Sequence, residues 1–433
     1  SFSTNATVDV TFTDAVSGAK QIQMLGLDGV YTQITQENMP LIRGLSSSYG
    51  LSYVPGTWIE SIQIITGSGS VVNGFESLTG QINLEYYKPE SSPKLFWNGY
   101  INQEGKLENN LLLVKKNGDW KSNLFTHISY SDNEIDNHGV FHSETNHHDQ
   151  DNFMDVPKVK QINLLNRWDY RGNKKYHLAF IARGLVEHRV AGQVSTISNP
   201  YIVDIQNKLF EFISKTGFIQ PNISGKSVGL QTSFRQHFQA AIFGDNNYIS
   251  VQEAAYLNCI RQTFINNTKN QLKYGFSYYA DRYTESFTGR HINTEFRDSI
   301  RLDLIPGIFS EYTLSRESFN LIAGMRSDYY NQTNKITFLP RLNMKYNPTE
   351  KTALRISAGK AFRVANVFAE NVSFLASTRD IMIYELDPEI AWNYGLNFSY
   401  CFYMNGREGT INFNAYRTDF QNQIVADIET PGE

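Results

Sequence analysis

The densest donor chemistry in the sequence lies in SDNEIDNHGVFHSETNHHDQDNFMDVPK, residues 131–158. Here His138, His142, His147 and His148 stand among Asp132, Glu134, Asp136, Glu144, Asp149, Asp151 and Asp155, with Lys158 as the only lysine or arginine. So much negative charge between two strand ends is unfavourable unless water, counterions or a bound cation neutralise it. Three readings stand open. Asp149, Asp151 and Asp155, with Asn152 where calcium loops often place Gly, offer hard oxygen ligands of the D-x-D kind. His147 and His148 offer softer imidazoles to zinc, copper or iron. The third reading is a solvated loop that holds no ligand, because loop histidines are commonly just exposed. The charge imbalance predicts modest divalent-ion binding in residues 131–158, calcium ahead of a transition metal, with no cofactor required elsewhere.

The remaining polar residues form no catalytic constellation. There is no nucleophile elbow, Walker loop, HExxH helix or CxxC pair, so the chain is expected not to be an enzyme. Cys259 and Cys401 lie far apart on different strand patterns and make neither a disulfide framework nor a metal pair. A formal net charge of -4 does not suggest a nucleic-acid binder.

The elements that must carry these residues are strands. Aromatics make up 13% of the 433 residues, with 28 Phe and 25 Tyr, while the mean hydropathy of -0.39 is polar. That pairing suits strands with one apolar and one polar face. No stretch approaches the roughly 20 apolar residues of a membrane-spanning helix, so a membrane protein of this composition must be a barrel. After Pro93 the sequence falls into segments of about ten residues with period-two alternation. In QLKYGFSYYAD, Leu272, Tyr274, Phe276, Tyr278 and Ala280 share one face and Lys273, Ser277 and Asp281 the other; AWNYGLNFSYCFY repeats the pattern from Trp392 to Phe402.

A soluble sandwich alternates too, and the connections decide between the two. From Leu95 about fifteen strand patterns follow, joined by links expected to alternate strictly in length. Short links fall at 117–119, 171–174, 221–225, 266–270, 316–318, 347–351 and 405–409, and long ones near 131–158, 187–207, 284–298 and 360–390. Outer-membrane barrels have short turns on one rim and long loops on the other, so an antiparallel transmembrane meander is expected over 94–433. Residues 1 to about 88 differ: short apolar runs broken by Gly and Pro predict a small α/β unit.

Within that unit, IQIITGSGSVVNGFESLTGQINLE joins two short alternating patterns through a glycine- and hydroxyl-rich connection. Glu60, Ile62, Ile64, Gly67, Ser70 and Gly74, then Gly80, Ile82 and Asn83, resemble the E-x-I-x-I-x-x-G-x-x-S-x-x-x-G and G-x-I-N runs that close the plug domain of TonB-dependent outer-membrane receptors. Farther on, Gly359, Phe362 and Arg363 match a family segment where a barrel strand enters an outer loop, with Arg363 expected to hold loop or plug through charge-assisted hydrogen bonds. Two positions depart from the family: Leu25-Gly26 replaces Arg-Gly and Glu37-Asn38 replaces Asp-Gly, so the roles of those family residues are not carried over.

The resemblance implies a mainly β protein with a small α/β plug in the lumen of a partial transmembrane barrel. It also implies active import of a scarce ligand at the bacterial outer membrane, with long loops extracellular and energy from the TonB-ExbB-ExbD complex. The ligand stays open among a siderophore or other metal chelate, haem, a metal ion, a vitamin and a glycan. A passive pore or adhesin barrel is the competing class, and the plug-like first 88 residues speak against it. Family barrels have about 22 strands. Fifteen leave an open edge, and no export-signal pattern opens the chain, so a piece of a longer protein is expected, with any TonB box upstream of Ser1.

Overall fold

The computed structural model describes residues 7–136, 152–172, 175–220, 225–289, 298–376, 381, 383, 386–404 and 406–425. The N-terminal unit opens with a hairpin, β1 (Val8–Asp14) and β2 (Ala19–Met24). A four-stranded sheet follows, built from β3 (Thr32–Gln36), β4 (Met39–Ile42), β5 (Ile59–Thr66) and β6 (Gly80–Tyr86) in the order β4-β3-β6-β5. β3 and β6 run parallel, and the other pairs are antiparallel. The helical part of this unit is short 3-10 turns at Gly29–Tyr31, Gly44–Ser46, Gly56–Trp58 and Val71–Asn73. Glycine-rich connections of this kind favour tight turns over a full α-helix. Ile22, Met24, Ile34, Ile42, Ile82 and Leu84 form its apolar core.

A fifteen-stranded antiparallel sheet takes up most of the rest. Its strands are β7 (Leu95–Ile101), β8 (Leu107–Asn117), β9 (Trp120–Ser131), β10 (Lys158–Tyr170), β11 (Tyr176–Gly192), β12 (Ile202–Ile219), β13 (Ser227–Phe243) and β14 (Asn246–Ile265). They continue as β15 (Asn267–Thr288), β16 (Asp298–Ser315), β17 (Phe319–Tyr330), β18 (Lys335–Thr349), β19 (Thr352–Arg363), β20 (Glu389–Met404) and β21 (Arg407–Asn422). Each strand pairs with its sequence neighbour, so the sheet is an up-and-down meander from β7 to β21. Two single-turn helices, α1 (Val367–Glu370) and α2 (Val372–Leu375), interrupt the link between β19 and β20. No described helix is long and apolar enough to cross a membrane.

Period-two alternation sets the two faces of this wall. On β15, Tyr274, Phe276 and Tyr278 are exposed, while Ser277, Tyr279 and Asp281 are buried against the inside. Successive links of a meander must fall on opposite rims. Links 132–157 and 364–388 therefore share one rim, opposite 220–226 and 405–406.

Link length alternates less strictly than the sequence suggested. On the long-link rim β13 turns into β14 through Gly244 and Asp245 alone, with Gly244 at φ 58, and β17 reaches β18 through 331–334. Left-handed residues such as Gly244 and Asn334 (φ 52) let a hairpin reverse in this space. The link expected at 187–207 shrinks to 193–201, because β11 and β12 stay paired as far as Gly192 and Ile202.

The N-terminal unit sits on the inner face and touches every strand from β8 to β21. Thr57 meets Asn110, Trp58 meets Phe125, Tyr53 meets Asn163 and Arg183, and Glu37 meets Lys215. Leu41 meets Arg235, Leu45 meets Gln252, Arg43 meets Tyr279, and Ser70 meets Glu311. Val71 meets Arg326, Gly69 meets Arg341, Phe75 meets Phe362, Tyr31 meets Glu389, and Thr66 meets Tyr416. A small unit can reach that many consecutive strands only if the sheet curls around it.

Candidate functional site

The two stretches singled out in the sequence meet at the seam between the N-terminal unit and the wall. Gly359 faces Ser68 so closely that a Cβ at Gly359 would lie 2.4 Å from the Ser68 Cβ. Phe362 stacks on Phe75 with centroids 4.5 Å apart and planes 14° from parallel. Ser70 Oγ accepts from Val72 N (3.2 Å), capping the 3-10 turn, and donates to Glu311 Oε2 at 2.5 Å. Gly67 (φ 79) and Gly74 (φ 121) take backbone conformations that side chains resist.

The other plug-motif residues build β5 and β6. Ile82 is fully buried in β6, and Asn83 Oδ1 accepts from Asn38 N (2.8 Å) and Thr35 Oγ1 (3.0 Å), bracing the β3–β4 turn. Gly80 packs against Ile65 O, where a Cβ would sit 2.6 Å away. Ile64 is half-buried, and Ile62 on edge strand β5 is exposed. Glu60, also exposed, accepts from Ser91 Oγ at 2.7 Å.

The wall grips this unit largely through backbone carbonyls. Arg341 Nη1 donates to Ser70 O (3.0 Å) and its Nη2 to Phe75 O (3.2 Å), while Arg326 Nη1 donates to Val71 O (3.2 Å). Arg235 donates to Leu41 O and Arg43 O, Arg183 and Asn163 to Tyr53 O, Asn258 to Val72 O, and Asn343 to Ser68 O. Charge-assisted bonds from buried guanidinium groups are stronger than neutral ones. They also satisfy carbonyls of an irregular segment that has no sheet partner.

Two buried charge clusters sit at different depths. Nearer the short-link rim, Glu37 at the β3–β4 turn (φ 55) accepts from Arg167 Nη1 (2.9 Å), Lys215 Nζ (2.6 Å) and Tyr86 N (3.0 Å). Burial pushes the Glu37 carboxyl up, but Lys215 and Arg167 outweigh it and hold the group below its ordinary range. Nearer the long-link rim, Arg43 pairs with Glu76 at 2.9 Å and lies over the Tyr279 ring. Burial dominates at Glu76 and raises its carboxyl despite Arg43. In the same region Arg363 bridges Glu370 (2.6 Å) and Glu389, with its guanidinium 5.3 Å above the ring of Tyr31, whose hydroxyl donates to Glu389 Oε1 (3.0 Å). Arg363 thus ties the β19–β20 link, the wall and the N-terminal unit together. Arg43, Glu76, Arg326 and Arg341 were not singled out in the sequence, and Glu37 stood out there only as a departure from the family pattern. The usable signal was arginine at the polar positions of alternating strands, because a guanidinium there must face the lumen.

Of the proposed metal ligands, His147, His148, Asp149 and Asp151 lie outside the described residues. Asp155 is described, and its backbone N donates to Ile135 O (2.8 Å). At the edge of that loop Glu134 accepts from Lys158 Nζ (2.7 Å), Ser195 N (2.9 Å) and Ser195 Oγ (2.8 Å), which lower its carboxyl to about 2. Asp132 pairs with Lys160 of β10 at 2.8 Å, so a second lysine joins Lys158 in balancing the acids. Cys259 and Cys401 are both free thiols.

Residues 72–433 match the family model described as TonB dependent receptor-like, beta-barrel. Among solved structures, the siderophore receptor PirA from Acinetobacter baumannii is 14% identical with a TM-score of 0.73, covering 98% of this chain and 68% of that one. A variant of the ferric enterobactin receptor PfeA from Pseudomonas aeruginosa is 12% identical with a TM-score of 0.69, over 96% of this chain and 68% of that one. The alcaligin outer-membrane receptor FauA from Bordetella pertussis is 12% identical with a TM-score of 0.68, over 98% and 68%. No curated protein matches the sequence.

Proposed function

Because the chain belongs to the TonB-dependent receptor family, we propose that it works in active import at the bacterial outer membrane, energised by TonB with ExbB and ExbD. The observation that carries this reading is the N-terminal unit seated across the wall from β8 to β21, held by buried arginines. A passive pore has no use for a folded unit that blocks its lumen. A plug held by reversible hydrogen bonds and ion pairs suits a transporter that must move it. The long links face outward and meet the ligand first, and the chain catalyses no reaction.

The ligand is a metal ion or metal chelate. Support comes from the fold's company: the siderophore, ferric enterobactin and alcaligin receptors above, and a copper transporter, OprC, with a TM-score of 0.68. The test is uptake of radiolabelled iron chelates and copper by cells making the whole receptor, with metal analysis and mass spectrometry of whatever co-purifies. Uptake that stops when TonB is removed is the expected result. Uptake that persists without TonB would move the protein to the passive-pore class. Topology has its own check: single cysteines at 331–334 should react with an impermeant maleimide on intact cells, and cysteines at 350–351 should not.

A further inference from the structure

Arg43 stands between two carboxylates that belong to different parts of the fold. Its Nη2 lies 2.9 Å from Glu76 Oε1 in the N-terminal unit, and its Nη1 lies 3.9 Å from Asp281 Oδ2 on β15. At 3.9 Å no hydrogen bond forms, and Nη1 is buried without a hydrogen-bond partner. Asp281 is fully buried and accepts from neutral donors: Gln252 Nε2 (2.9 Å), Tyr279 Oη (2.9 Å) and Tyr283 Oη (2.7 Å). The guanidinium lies 4.2 Å over the Tyr279 ring, a face contact that sets no bond direction and lets it turn between the two acids.

Acids outnumber cations around this pair. Arg363 of β19 also meets two carboxylates, Glu370 of α1 and Glu389 of β20. Arg301 on β16 is matched by Asp303 at 3.1 Å, and Arg326 on β17, across the Phe75 ring from Arg43, is matched by Asp328. Glu285 adds a further acid on β15 and accepts from the Tyr248 hydroxyl. Arg235 of β13 adds a cation, which bonds the carbonyls of Leu41 and Arg43. A buried carboxylate with no cation of its own takes up a proton in place of its charge. Glu76 is well placed to do so. Its side chain is 12% exposed and borders the cavity of about 50 Å³ that Arg43, Gln33 and Glu370 also line. That space holds a few water molecules, which give a proton a way in and out.

We infer that Arg43 is a proton-operated switch between the N-terminal unit and the wall. With a proton on Glu76 the guanidinium turns to Asp281 and ties the two parts together. When the proton leaves, Arg43 returns to Glu76, the pair lies wholly within the N-terminal unit, and that tie to the wall is lost. The structure shows this second arm. Burial raises the Glu76 carboxyl above its ordinary value of 4.5, so the stability its proton brings is fully present below that value and is lost as pH rises through the raised one. Glu37, near the other rim, has the opposite sign. The seam therefore answers acid differently at its two depths, whatever the receptor carries.

The test needs no transport and uses the full chain in detergent micelles. Glu76→Gln keeps the shape of the protonated acid and cannot lose the proton. Melting temperatures of the native chain and the variant should coincide in acid. Above pH 4.5 the native chain should fall behind, its folding constant dropping about tenfold relative to the variant for each pH unit until the proton is gone. The structure of Glu76→Gln should bring Arg43 Nη1 from 3.9 Å to hydrogen-bond distance of Asp281 Oδ2. If that variant does not fold, structures of the native chain in acid and at alkaline pH give the same reading, with Arg43 on Asp281 in the first and on Glu76 in the second. Native and variant melting temperatures that track each other at every pH would show that Glu76 holds no proton. A guanidinium that stays on residue 76 in the variant, or on Glu76 in acid, would equally overturn the switch.

Discussion

Glu37 shows how a single carboxylate can fasten one part of the fold to another. Its left-handed turn points the side chain at Arg167 and Lys215, which are 130 and 178 positions away in sequence. Replacing it by Gln leaves two cations facing a neutral group, and removing one partner of a buried pair costs about 3 kcal/mol. The expected outcome of Glu37→Gln is a lower unfolding temperature in micelles with the wall's strand content unchanged by circular dichroism. The sign of the pH effect follows from the lowered carboxyl. Its stabilisation is fully present above the ordinary value of 4.5 and is lost as pH falls through the depressed one. The gap between native and Glu37→Gln melting temperatures should therefore be widest near neutrality and close in acid. Glu134 obeys the same sign. Between pH 4.5 and about 2 its hold on Lys158 and Ser195 should fail, seen as faster amide exchange at Ser195. Neither role was legible in the sequence. Glu37 read only as a departure from a family pattern, because its partners lie on strands whose register the sequence does not state.

At the scale of elements, the meeting of β19 with the Ser68–Phe75 segment is the most exacting fit. Gly359→Ala would drive a methyl into Ser68, and overpacking of this kind costs about 1–3 kcal/mol. The variant should be cut by protease in the N-terminal unit at lower concentrations than the native chain. Adding Ser68→Gly, which removes the obstructing Cβ, should restore resistance. Phe75→Ala and Phe362→Ala should each destabilise by about 3 kcal/mol or more, with a coupling of about 1 kcal/mol in the double variant from their stacked rings. Both motifs were visible in the sequence as separate spacings. Their contact was not, since a glycine's spacing says that something approaches closely without saying what. The β19–β20 link was visible as a long link, but its inward turn depends on apolar partners gathered from β11 to β15 that only the folded wall assembles.

For the whole molecule, alternation made the wall readable. About fifteen patterns were expected, and fifteen strands pair in sequence order from β7 to β21. Local periodicity suffices there because each strand needs only its neighbours. Link lengths were less readable, since a tight hairpin such as Gly244–Asp245 can sit on either rim.

The bonds from Arg183, Arg235, Arg326 and Arg341 to main-chain oxygens carry a different kind of consequence. A carbonyl is the same group whatever residue bears it. The wall therefore recognises the path of the plug and is indifferent to much of its spelling. Substitutions at Leu41 or Val71 that keep this path leave every one of these donors satisfied, whereas a change that rotates a single peptide plane empties one. Plug and wall are free to drift apart in sequence without losing each other. A plug borrowed from a distant relative with the same backbone course should still seat in this wall.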